Sequence, residues 1–174
     1  MKVAALLRAV NVGGRQVKMA ELREALAREF GDCRTLLASG NVVLDAEDAT
    51  GLEERLEATF ETRFGFVSEF VVRDAAALDA VIAANPFPDA AAERPSRLLV
   101  TFHREPPGPA LGERLAAEHV GPERVALIGR ELFIDFPDGV GVSTIDRTTK
   151  RLKWPKVATA RNWNTVLKLR AALD

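Results

Sequence analysis

Apolar and polar positions alternate along this chain in two ways, and the two periods mark out its elements. Residues 3–10, VAALLRAV, are apolar at all but one position, as in a central strand covered on both faces. Residues 18–30 place Met19, Leu22, Leu26 and Phe30 at helical spacing, and Gly31 supplies the stop. CRTLLA and NVVLDA flank Ser39-Gly40, which predicts a hairpin with a small polar turn. A second helix is predicted over 50–64, with Leu52, Leu56, Phe60 and Phe64 four apart, then a strand over 67–73 and a short helix over 74–84. The order β-α-β-β-α-β is that of a ferredoxin-like split βαβ sandwich.

Residues 85–95, NPFPDAAAERP, hold three of the nine prolines and are expected to be a linker. Beyond them the pattern recurs in part. A strand is predicted over 96–102, a helix over 109–119 and a second hairpin over 124–136. That hairpin, RVALIGRELFIDF, lines up with RTLLASGNVVLDA at a constant offset of 90, pairing Arg34 with Arg124, Leu37 with Leu127, Leu44 with Ile134 and Asp45 with Asp135. Two amphipathic hairpins can also agree by chance. No fourth strand is evident in the second half. STIDRTTKRLKWPK and a terminal helix over 162–173 take its place. The expected fold is therefore α+β, in two small subdomains: 1–84 ferredoxin-like, 85–95 a linker, and 96–174 a partial repeat ending in a C-terminal helix.

Composition narrows the class. The 174 residues are 47% hydrophobic and 28% charged, ordinary for a globular protein. No apolar run is long enough to span a bilayer, and Arg8 interrupts the N-terminal one without a cleavage site after it. Cys33 is the single cysteine, which fits a reducing cytosol, and a cytoplasmic location is expected. One Cys and two scattered His (His103, His119) lack metal-ligand spacing, so neither metal nor cofactor is expected. Charge is uneven: residues 146–174 carry eight basic and two acidic side chains against a net acidic remainder. This basic tail either holds to the body or offers a patch to an anionic partner.

Four constellations carry candidate chemistry. NVGGRQVK, 11–18, could cradle a phosphate with loop N–H groups, Gly13, Gly14 and Lys18, although it matches no standard phosphate-loop pattern. Arg8 stands in an otherwise apolar strand and needs a partner there, with Asn11 close in sequence. Ser39, Gly40 and Asn41 read first as turn residues. TARNWNTVLKL, 159–169, reads as a helix start capped by Thr159 or Asn162, with Trp163 and Val166 as apolar anchors and Thr165 beside them. Arg161 there opposes the helix dipole unless an anion accompanies it. Trp154 and Trp163 among cations could stack bases, but burial as core anchors is the commoner fate, so nucleic acid is the less favoured partner.

Together, ALLRAVNVGGRQVKMAELREAL, RTLLASGNVVLDA and ATARNWNTVLKL resemble the signatures of the bacterial family called domain of unknown function 1697. Its members typically read A-L-L-R-G-I-N-V-G-G, then S-G-N-V, then T-x-R-N-W-x-T-V-x-K-L. The resemblance implies an α+β fold of two small subdomains, the first ferredoxin-like, and no assigned activity. It carries over Arg8, Asn11, Gly13, Gly14, Lys18, Met19, Ser39, Gly40, Asn41, Thr159, Arg161, Asn162, Trp163, Thr165 and Lys168. Ala9 departs from the family's glycine, and the Ser-Lys-Leu element of many members has no clear counterpart in 143–152.

Three readings follow. One is a binding module in which the NVGG, SGN and TARNWNT motifs form a cleft for a phosphate-bearing ligand, either a nucleotide-like small molecule or nucleic acid. The second is an enzyme on a small phosphorylated metabolite, with His103, Asp45 or Asp146 as base. The third makes the motifs architectural.

Overall fold

The computed structural model of the chain describes residues 1–8 and 15–174. Asn11, Gly13 and Gly14, with the rest of 9–14, lie outside the described residues.

The first half runs β1 (Lys2–Leu7), α1 (Met19–Phe30), β2 (Cys33–Leu36), β3 (Asn41–Asp45), α2 (Leu52–Phe64), β4 (Phe70–Asp74) and α3 (Ala75–Ala83). Its four strands form one antiparallel sheet in the order β2-β3-β1-β4. Gly31 and Gly65, both at positive φ, end α1 and α2 by turning their N–H groups back to Ala27 O and Glu61 O. One face of the sheet buries Val3, Ala5, Leu7, Val42, Leu44 and Phe70 with Leu22 and Leu26 of α1 and Leu52, Leu56 and Phe60 of α2. Phe60 anchors this core, with Phe64, Phe66 and Phe70 ringed about it at 4.7–6.1 Å between centroids. The opposite face is buried as well: Ala4, Leu6, Asn41, Val43, Val71 and Arg73 alternate with the first set.

The second half repeats this element for element: β5 (Leu98–His103), α5 (Pro109–Glu118), β6 (Arg124–Ile128), β7 (Glu131–Asp135), α6 (Ile145–Arg151), β8 (Ala158–Asn162) and α7 (Trp163–Ala172). Its sheet has the order β6-β7-β5-β8. A fourth strand is thus present where the sequence pattern showed none. ATARN forms it, and the helix begins only at Trp163. Lys2 faces Asp45 as Leu98 faces Asp135, and Ala4 faces Arg73 as Val100 faces Arg161. The constant hairpin offset holds only on the second arms. Leu36 closes on Asn41 across residues 37–40, whereas Ile128 closes on Glu131 across Gly129 and Arg130. The counterpart of Cys33 is therefore Val125, and Arg34 does not correspond to Arg124.

By its contacts the chain divides into Met1–Asp79 with Lys168–Asp174, and Ala80–Leu167. The division falls within α3, not in the proline-rich stretch 85–95, where α4 (Pro88–Glu93) forms with Pro at its start and Ala90 buried. Arg94, at the end of α4, grips the buried Asp135 with two bonds of 2.8 and 2.6 Å. In the second unit α5 lies tight on β6: a Cβ on Gly112 would stand 2.7 Å from Leu127 Cβ. Gly112→Ala is expected to cost about 1–2 kcal/mol through this overpacking, despite alanine's better helix propensity, read as a lower melting midpoint.

Candidate functional site

At the end of the first sheet, backbone and side chains bring two of the sequence motifs together. Leu7 N–H donates to Gly40 O at 2.8 Å, which joins the last residue of β1 to the hairpin tip. Gly40 takes φ +76°, and Leu37, at φ +62°, is the exposed residue opening the same turn. Asn41 is fully buried, and its amide donates to Leu36 O and Ser39 Oγ, both at 2.8 Å. The strand β2 therefore stops at Leu36, with Leu37 and Ala38 between it and the predicted Ser39-Gly40 turn.

Arg8 follows β1 directly and continues its pairing, its N–H donating to Glu69 O at 2.9 Å. Its guanidinium meets Glu69 Oε1 at 3.0 Å, both side chains about one-third exposed, and its carbonyl accepts from Ser68 Oγ. Arg8 is thus a strand-end cation with a carboxylate partner at hand, which answers the sequence question of what pairs it. Arg15 lies over the Phe66 ring at 4.7 Å, and Lys18, exposed, precedes the first turn of α1.

The third motif up to Leu167 lies in the other unit. Arg161 is in β8, one residue before the Asn162 cap of α7, and its guanidinium is turned back onto its own strand. Its side chain is buried, and NH1 donates to Thr159 Oγ1 at 2.6 Å and to Ala160 O at 2.8 Å. Burial pushes its guanidinium down to about 10. Asn162, not Thr159, caps α7: its Oδ1 accepts from Thr165 N and Thr165 Oγ1, both at 3.0 Å. Trp163 is buried, and the Trp154 N–H is committed to His103 Nε2 at 2.8 Å. Lys168 is exposed on α7, and Met19 packs against the first core.

Sequence reasoning missed Arg73. It is buried in β4 at the register position matching Arg161, and its NH1 donates to the preceding carbonyl, Val72 O, at 2.8 Å as Arg161 does to Ala160 O. The only available signal was an arginine inside FVVRD, a strand pattern otherwise apolar until its end.

The candidate bases are dispersed. His103 is fully buried with both ring nitrogens engaged: Nε2 accepts from Trp154, so Nδ1 carries the hydrogen and donates to Arg130 O at 2.7 Å. Asp45 faces Lys2, at the opposite end of β1 from Arg8. Asp146 sits in the first turn of α6, in the second unit. Glu69 is the carboxylate that stands at the Arg8 end. Among the described residues no group of three or more His, Cys, Asp or Glu could hold a metal ion, and no helix is long and apolar enough to cross a membrane. The basic tail is partly spent internally: Arg151 meets Glu118, and Arg170 meets Asp79 and Asp174.

Two four-stranded antiparallel sheets, each with an arginine set into its second buried face, define an α+β protein of doubled βαββαβ order. The chain belongs to the family described as Protein of unknown function (DUF1697), whose model matches residues 1–133. Among solved structures it is similar to the conserved bacterial protein SP0830 from Streptococcus pneumoniae, at 23% identity and a TM-score of 0.72, over 99% of this chain and 98% of that one. That likeness shows the fold. No curated protein matches the chain.

Proposed function

We propose that this protein binds a phosphate-bearing small molecule at the end of its first sheet, around Arg8 and near the Ser39-Gly40 turn. The observation that carries this reading is the partly exposed Arg8 guanidinium, held by Glu69 through one contact at the end of β1, where the Leu7–Gly40 backbone bond fastens the neighbouring turn. A phosphate offers Arg8 a doubly charged, bidentate acceptor, against the single 3.0 Å contact with Glu69. Glu69 then acts as a competitor that an incoming anion must displace. Asn11, Gly13, Gly14 and Lys18 complete the proposed set, and nucleic acid is the larger form of the same chemistry.

Opposite substitutions test this. In calorimetry against inorganic phosphate, a nucleotide and a sugar phosphate, Arg8→Gln weakens binding about tenfold or more, whereas Glu69→Gln strengthens it by removing the competitor. A bound ligand at about 100 times its Kd raises stability by about 2.7 kcal/mol. No binding by any phosphate compound, or binding indifferent to Arg8, sinks the proposal.

A second reading, that the SGN and TARNWNT motifs are architectural, has its own support. Asn41 spends both amide hydrogens inside its hairpin, Arg161 donates to Thr159, and Thr165 donates to Asn162. On this division the ligand is held by Arg8 and its loop, and the third motif keeps β8 and α7 in place. An enzyme acting on a phosphorylated metabolite remains the alternative activity, with Glu69 rather than His103 as the carboxylate or base positioned to serve it.

A further inference from the structure

We propose that the groove between α1 and α2 docks an acidic segment of a partner polypeptide. The groove belongs wholly to the first unit and does not involve the Arg8 site, so the two proposals stand or fall separately. It is an open groove of about 670 Å³. The groove has a sequence cause. Where the helices run side by side, Ala25 and Ala58 face the groove, and side chains that small leave the space unfilled.

Three guanidiniums line it, Arg28 from α1 and Arg55 and Arg63 from α2, with Glu29 as the lining carboxylate; Arg28 is already bonded to Glu24 at 2.6 Å, so Arg55 and Arg63 are the cations that matter here. Arg55 lies over the Phe30 ring at 4.9 Å and Arg63 over Phe64 at 5.3 Å. Stacking restrains both forks before any ligand arrives, which lowers the ordering cost of binding. Their carboxylate partners stand too far for a hydrogen bond: Arg55–Glu29 and Arg63–Glu21 are each 3.6 Å apart. A charge-assisted bond closes to about 2.8 Å, so a carboxylate entering the groove makes contacts that the resident acids do not.

The lining also distinguishes among anions. Glu29 sits among the arginines, accepting from Thr59 Oγ1. A phosphodiester backbone brings only acceptors to the groove, with no N–H for Glu29. A polypeptide brings carboxylates for the arginines and backbone N–H groups for Glu29. Arg55 and Arg63 are eight residues apart on one helix, about 12 Å along its axis, which matches carboxylates about four residues apart on an extended peptide.

The experiment measures fluorescence anisotropy of a labelled polyglutamate octapeptide, with a single-stranded oligonucleotide of equal charge alongside, on the full chain. The expected result is salt-sensitive peptide binding that Arg55→Glu/Arg63→Glu weakens about tenfold or more and that Arg8→Gln leaves unchanged. If charge reversal lowers the melting midpoint, Arg55→Gln/Arg63→Gln decides in its place, with the same loss expected. Absent peptide binding, or binding indifferent to the folded double variant, overturns the proposal. So does tighter binding of the oligonucleotide through the same two arginines, which would make the groove a nucleic-acid site.

Discussion

Asp135→Ala is expected to destabilise the protein by about 3 kcal/mol near neutral pH, the low end for breaking a buried ion pair. Asp135 is 1% exposed at its side chain and accepts from Arg94 Nε and NH2 and from Arg124 Nε and NH2, at 2.6–3.0 Å. The low end applies because Arg94 and Arg124 retain side-chain exposures of 25% and 43%, and Asp89 continues to neutralise both. The loss still exceeds that of a surface pair, because the carboxylate fastens α4 and β6 to β7 at once. Its pH dependence has a definite sign. The hydrogen bonds from Arg94, reinforced by Arg124 and prevailing over burial, hold the Asp135 carboxyl below the usual aspartate range. As pH falls the unfolded chain takes up this proton first, so the contribution is full above the ordinary aspartate pKa and disappears as pH falls through the lower folded value. Urea titrations over an acid series check this. The wild type loses stability steeply below about pH 4, while Asp135→Ala starts lower and falls less. Parallel curves for the two proteins would mean that Asp135 is not the group responsible.

Position 135 also shows how far the sequence was legible. Asp45 and Asp135 stood out there as an aligned pair, and their strands and registers do correspond. Yet Asp45 is exposed and Asp135 is buried, because only the second unit has α4 to deliver Arg94. Periodicity found α1, α2 and α5 to within about two residues because each has an apolar stripe facing a sheet. It failed at β8, since ATARN alternates threonine and arginine on the buried face with alanine on the other. A strand that buries Thr159 and Arg161 has no hydrophobic alternation to read. The neighbouring capping residues then drew the helix start backward. Arg73 was hidden for the same reason, since nothing in one sequence says that an arginine near the end of a strand points inward. At the first site, Ser39-Gly40 was readable as a turn, but the Leu7–Gly40 bond and Glu69 were not, because they join residues that only the fold makes neighbours.

Arg161 gives the second large effect, and two substitutions separate its causes. Arg161→Ala is expected to be about 3 kcal/mol less stable than Arg161→Met, the usual cost of emptying a buried methionine-sized space. Arg161→Met itself should lie within about 1 kcal/mol of wild type. It loses the bonds to Thr159 and Ala160 but also relieves the desolvation that pushes the guanidinium down to about 10. The cation is disfavoured in the fold, so the unfolded chain binds this proton more tightly. Wild-type stability therefore carries the cost at every pH below about 10 and recovers part of it as pH rises above that value; Arg161→Met has no such alkaline gain. The methionine variant also settles which motif serves the ligand. If Arg161 only braces β8 and α7, the folded Met variant binds phosphate compounds as tightly as wild type, and only Arg8→Gln weakens them. If Arg161 contacts the ligand, binding falls in the Met variant while its unfolding midpoint stays in place, and Arg8 is then not the deciding cation.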